Sequence, residues 1–173
     1  MKILFPAHLI RAVDISRKMC SAVAERKSGE IKTLLGDAYD TRTVGLTELS
    51  RQFVTPIDRE DIASLYTMAY RLSESLADAD AAIEKSGRHL RYASLLAVTV
   101  GNCEKALRIF KENKLPPPDV LLEDHLRQDE ASTFFPFSSG NTGLSPLLFY
   151  TKRCEDISFR MLDYILRSSI KNN

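Results

Sequence analysis

Apolar residues recur along this chain in steps of three and four. The longest series is Ile62, Leu65, Ala69, Leu72, Leu76, Ala79 and Ile83. It holds one narrow stripe over three heptads, which predicts a long helix buried along one seam. Leu96, Val100, Cys103, Leu107 and Phe110 repeat the pattern, and Tyr150, Cys154, Ile157, Met161 and Tyr164 do so again. Leu9, Val13, Ser16, Cys20 and Val23 make a fourth seam. Ile31, Leu35 and Ala38, continued by Leu46, Leu49 and Phe53, make a fifth and weaker one. No stretch alternates with the period of two that a half-buried strand requires. The chain reads as all-α.

Breakers divide the helices. Ser28-Gly29 separates the first from the second, Thr55-Pro56 the second from the third, and Ser86-Gly87 the third from the fourth. At the second break, Thr55 reads as an N-cap, Pro56 as the first helical residue with no amide to leave unsatisfied, and Asp58 as a carboxylate bonding back to the cap. Asp58, Glu60 and Asp61 then sit where the helix dipole favours negative charge. The third helix, from about Pro56 to Lys85, would be roughly 45 Å long. Short connections make successive helices antiparallel, so an elongated up-and-down antiparallel bundle follows. Pro116-Pro117-Pro118 stops the fourth helix. Asp119 can cap a short helix over about Val120 to Ala131, which makes about six in all. The loop that follows carries Phe134, Phe135 and Phe137, rings that either close one end of the bundle or face a partner.

Phe53, Thr55, Pro56, Asp58, Arg59, Glu60, Asp61 and Ile62 together form a word, Phe-x-Thr-Pro-x-Asp-Arg-Glu-Asp-Ile, that opens the third helix. It resembles the signature of the PhoU-like phosphate transport regulator family, in its short cytoplasmic branch. Arg153-Cys154-Glu155-Asp156-Ile157 resembles a run in that family's last helix. The resemblance is dense over about ten residues and rests on helix order and length elsewhere. It implies a single PhoU-like, spectrin-like helical bundle domain over residues 1–173. Larger members are built as two similar three-helix halves; six helices would be a reduced version, although no internal repeat is visible. The function it implies is that of a non-enzymatic cytoplasmic accessory protein or regulator of inorganic phosphate transport. Its partner would be a phosphate permease or a membrane-bound sensor protein.

Composition adds limits. At 173 residues, 44% hydrophobic and 27% charged, the chain suits one globular domain with a sizeable core. A net charge of +1 supplies no global field for nucleic acid or anionic membrane. Lys105, Arg108, Lys111 and Lys114 make a basic stripe on the fourth helix, but Glu104 and Glu112 interleave with it. No apolar run is long enough for a membrane span, and the first ten residues do not read as a signal peptide. Cys20, Cys103 and Cys154 are odd in number and widely spaced, which fits reduced thiols buried as small hydrophobes in a cytoplasmic protein.

Candidate chemistry is sparse. The chain contains no Gly-x-Ser-x-Gly elbow, no phosphate-binding Gly-x-x-x-x-Gly-Lys loop and no dinucleotide fingerprint. The scattered His8, His89 and His125 form no helical metal pair. What remains is carboxylate. The family resemblance implies Glu/Asp-x-x-x-Asp motifs holding iron or other transition metals on the outer faces of the bundle. Glu74-x-x-x-Asp78 matches that motif, and Asp80-x-x-x-Glu84 approximates it. Residues four apart share a helix face, and carboxylate oxygens suit hard cations. Asp156 and Asp40 could add ligands if their helices are neighbours. Yet Tyr70 and Arg71 stand where the family tends to place paired aspartates, and Lys152 stands four before Asp156. The motifs therefore read as degenerate, with no cofactor expected. The alternative is a carboxylate-rich protein binding iron, nickel or zinc. Self-association is a further expectation, because Phe134, Phe135, Phe137, Tyr66 and Tyr70 lie off the seams.

Overall fold

The computed structural model describes residues 5–52, 55, 57–86, 96–112 and 145–171. Every regular element among them is a helix: α1 (Ala7–Ala24), α2 (Ser28–Arg51), α3 (Arg59–Ser86), α4 (Ala97–Glu112) and α5 (Ser145–Lys171). The sixth helix expected over Val120–Ala131 and the Phe134–Phe137 loop lie outside the described residues. Packing runs in a ring, α1 on α3, α3 on α5, α5 on α4 and α4 back on α1. The second helix lies against both α1 and α3.

Two junctions differ from the sequence reading. The break between α1 and α2 falls on Glu25-Arg26-Lys27, and Ser28-Gly29 begins α2. Arg26 carries the left-handed turn at φ 59°. The Arg26 amide donates to Val23 and the Lys27 amide to Ala22, the paired pattern of a Schellman stop. Glycine usually takes that place; here Arg26 takes it, three residues before Gly29. At the other junction α3 starts at Arg59, with Asp58 as its cap in place of Thr55. Asp58 Oδ1 accepts from the Glu60 amide at 3.0 Å, and its carbonyl accepts from Ile62 at 3.1 Å. An Asp caps at least as well as a Thr, and it sits nearer the apolar run it serves.

The seam of α3 is buried throughout, from Ile62 to Ile83, and so is that of α1 from Leu9 to Val23. Elsewhere the buried stripe is rotated. In α2 it runs Ile31, Ala38, Thr41, Gly45, Leu49, with Leu35 and Leu46 at its edges. In α4, Thr99, Asn102, Cys103, Ala106, Ile109 and Phe110 are buried, while Val100 and Leu107 are partly covered. In α5, Leu147, Thr151, Cys154, Ser158, Met161 and Ile165 face inward, and Ile157 and Tyr164 lie at the margin.

Small polar residues mark the close approaches. Ser16 Oγ of α1 lies 3.1 Å from the Ala69 carbonyl and 3.1 Å from Ser73 Oγ, both on α3. Asn102 Nδ2 of α4 donates to Ser158 Oγ of α5 at 3.1 Å. Gly45 of α2 lets the helix sit directly on the ring of Tyr66. Tyr66 is only 1% exposed, which removes it from any self-association surface. Tyr70, only part-exposed, meets Tyr39 edge-on with ring centroids 6.0 Å apart. Both tyrosines are off the α3 seam because they serve a second one, against α2.

Candidate functional site

The carboxylates singled out by spacing lie on the outer side of α3 and its neighbours. Glu74 and Asp78 are both exposed, as helical geometry requires once Leu72 and Leu76 face the core. They share a face. Asp80 of the second motif is nearly buried at 7% exposure while Glu84 is exposed, so that pair does not present two equivalent outward ligands.

Glu74 belongs to a small polar and aromatic group spanning α2 and α3. Tyr70, one turn before it, hydrogen-bonds to its carboxylate. Burial, then that bond and the Glu74 charge, push the Tyr70 phenol above its ordinary range. The Arg42 guanidinium stands 5.3 Å from the centre of the Tyr70 ring, a cation–π distance. Its Nε is buried with no hydrogen-bond partner among the described residues. Tyr39 and Arg42 reach the same ring because residues three apart share a helix face. The sequence carried that spacing, but nothing in it showed that α2 would be the helix alongside Tyr70.

Asp78 lies toward α5, where its charge reaches the Cys154 thiol. On α5 itself Lys152 bridges two acids, Glu155 at 3.4 Å and Asp156 at 3.5 Å. Burial lifts the Glu155 carboxyl above the ordinary range, against the opposing pull of Lys152. The lysine four before Asp156 thus sets a positive charge beside the carboxylate that a metal would need. Asp40 is exposed on α2. Among the described residues, no group of three or more His, Cys, Asp or Glu side chains is placed to hold a metal ion. The four candidates Glu74, Asp78, Asp156 and Asp40 are therefore spread over three helices and not gathered. A multinuclear metal cluster does not fit this donor set.

The thiols form the other concentration of reactive groups. Cys20, Cys103 and Cys154 come from α1, α4 and α5, are all 0% exposed and are unpaired. Burial lifts the Cys103 and Cys154 thiols to about 12. Burial, followed by the proximity of Cys103 and Cys154, lifts Cys20 well above its usual value. Thiols held so far from ionisation are poor nucleophiles. Their role is packing.

No helix among the described residues is long and apolar enough to cross a membrane. No protein-family model matches the chain, and no curated protein matches it.

Proposed function

We propose that this chain is a non-enzymatic cytoplasmic accessory protein or regulator of inorganic phosphate transport, acting by contact with other proteins. The observation that carries the reading is the word from Phe53 to Ile62 and its position. Its described part, Thr55 and Ile57 to Ile62, supplies the cap and first turn of α3, the helix packed on α1, α2 and α5. A PhoU-like family member would carry the same word at the head of its third helix. The outer face around Glu74, Asp78 and Asp156 offers a charged surface for such contact. The partner class is a phosphate permease with its cytoplasmic loops, or a membrane-bound sensor protein. Deleting the gene and following phosphate uptake and intracellular phosphate tests this. Altered phosphate handling under starvation or excess is expected; unchanged handling under both removes the assignment.

A second reading, a carboxylate-rich transition-metal protein, has one observation in its favour: Glu74 and Asp78 point outward one turn apart. Little stoichiometric metal is expected, because Lys152 holds Asp156 and Tyr70 holds Glu74. Elemental analysis of the purified protein decides the matter. About one or more iron, nickel or zinc ions per chain, lost in Glu74→Ala/Asp78→Ala, would establish the second reading.

A further inference from the structure

Residues Ala7, Ile10, Arg11 and Asp14 follow one another on a single face of α1, and Leu107 and Lys111 stand opposite them on α4. Between them runs an open groove of about 460 Å³. Ile10 and Leu107, each partly buried against the core, form its apolar floor. Arg11 and Lys111 are exposed cations on its two walls, and among the described residues neither has an ion-pair partner. Asp14 does not serve them. Its carboxylate is held by Arg17 at 2.9 Å and Lys18 at 2.9 Å. Among the described residues the groove therefore combines an apolar strip with a cation on each side.

We propose that this groove receives an amphipathic helix of a partner protein, with carboxylates flanking its apolar stripe on both edges. Three observations choose that occupant. The charge is complementary, and it comes from both walls, which matches carboxylates on both edges of a docked helix. From Ala7 to Asp14 the groove runs for roughly 10 Å, the span of anchors at i, i+3 or i+4, and i+7 on a docked helix. Among the described residues it is also open to solvent, whereas small-molecule sites enclose most of the ligand surface. The molecule already uses this packing once, since α2 lies against the neighbouring pair α1 and α3. The basic stripe on α4 thereby gains a purpose: Lys111 faces the groove, in a helix that also carries Arg108. The inference takes from the proposed function only that the protein acts by contact, and phosphate handling plays no part in its test.

The experiment uses the full chain, labelled with nitrogen-15, and two synthetic helical peptides of roughly 16 residues. Both carry Leu at i, i+3 and i+7; one has Glu on both flanks and the other has Lys. The acidic peptide is expected to shift amides in residues 7–14 and 107–111. Affinity should fall roughly tenfold or more in Arg11→Glu/Lys111→Glu and fall again at high salt. Because both positions are exposed, an unchanged circular dichroism spectrum will show that the variant still folds. Equal binding of the Lys peptide, shifts confined to another surface, or undiminished affinity in the double variant would overturn the proposal. Concentration-dependent shifts of the same amides without peptide would assign the groove to a second copy instead. Tighter occupancy by decanoate than by the acidic peptide would assign it to a small amphiphile.

Discussion

A methyl group added at position 45 has no room. The Cβ of an alanine there would fall inside van der Waals contact with the ring of Tyr66, and that ring is fixed on its other side. Its hydroxyl reaches the backbone of Leu9 at the head of α1, and burial, with the Glu48 charge, pushes its phenol up to about 12. The ring cannot swing aside without breaking that arrangement. Gly45→Ala should therefore destabilise the protein by about 1–3 kcal/mol, the usual cost of overpacking. Gly36 on the same helix supplies the control, since a Cβ there meets nothing within 4 Å. Gly36→Ala should stabilise by roughly 0.5–1 kcal/mol through helix propensity alone. Urea midpoints of the two variants measure both, and a loss in Gly36→Ala comparable to that in Gly45→Ala would refute the steric account.

At the scale of the helix, what could be read from the chain was what depends on one residue's neighbours along one cylinder. The seams of α1 and α3 were legible because each keeps unbroken steps of three and four, with Ser16 of α1 the one polar residue among them. In α2, α4 and α5 the stripe is carried partly by Thr41, Gly45, Thr99, Asn102, Thr151 and Ser158. These positions do not score as apolar, yet they are inside. Thr151 satisfies its own hydroxyl on the Leu147 carbonyl at 3.0 Å, and Asn102 finds Ser158 across the interface. The polarity of Thr151, Asn102 and Ser158 is cancelled by partners that spacing along one helix does not reveal, whereas the buried Thr99 hydroxyl has none among the described residues. Helix ends were displaced for a related reason, since Arg26 adopts a conformation usually left to glycine and Asp58 competes successfully with Thr55. The outward direction of Glu74 and Asp78 was readable from spacing. Which helix stands beside each of them was not, because adjacency in the ring is decided by the packing of the five described helices together.

For the molecule as a whole, the convergence of three thiols gives stability a dependence on alkaline pH. Each thiol is neutral in the fold and ionises readily once unfolded, where its value is near 9.0. Cys103 and Cys154 ionise in the folded protein only at about 12. Above the unfolded value the unfolded chain binds fewer protons than the native one, so stability falls as pH rises. The contribution is complete below about pH 9 and is lost progressively between about pH 9 and 12. At pH 10.5 the loss amounts to roughly 2 kcal/mol for each thiol, at about 1.4 kcal/mol per unit. Two such thiols, with Cys20 and Tyr66 shifted in the same direction, weigh heavily against a total stability of about 5–15 kcal/mol. Urea midpoints should accordingly drop between pH 8 and 10.5. Other phenols and amines titrate in that window too, so the decisive comparison is with Cys20→Ala/Cys103→Ala/Cys154→Ala. That variant starts lower at pH 8, having lost three well-packed side chains, but its midpoint should fall less steeply with pH than that of the parent. Parallel slopes would mean that the thiols are accessible to ionisation in the folded state, and the packing role assigned to them would have to be given up.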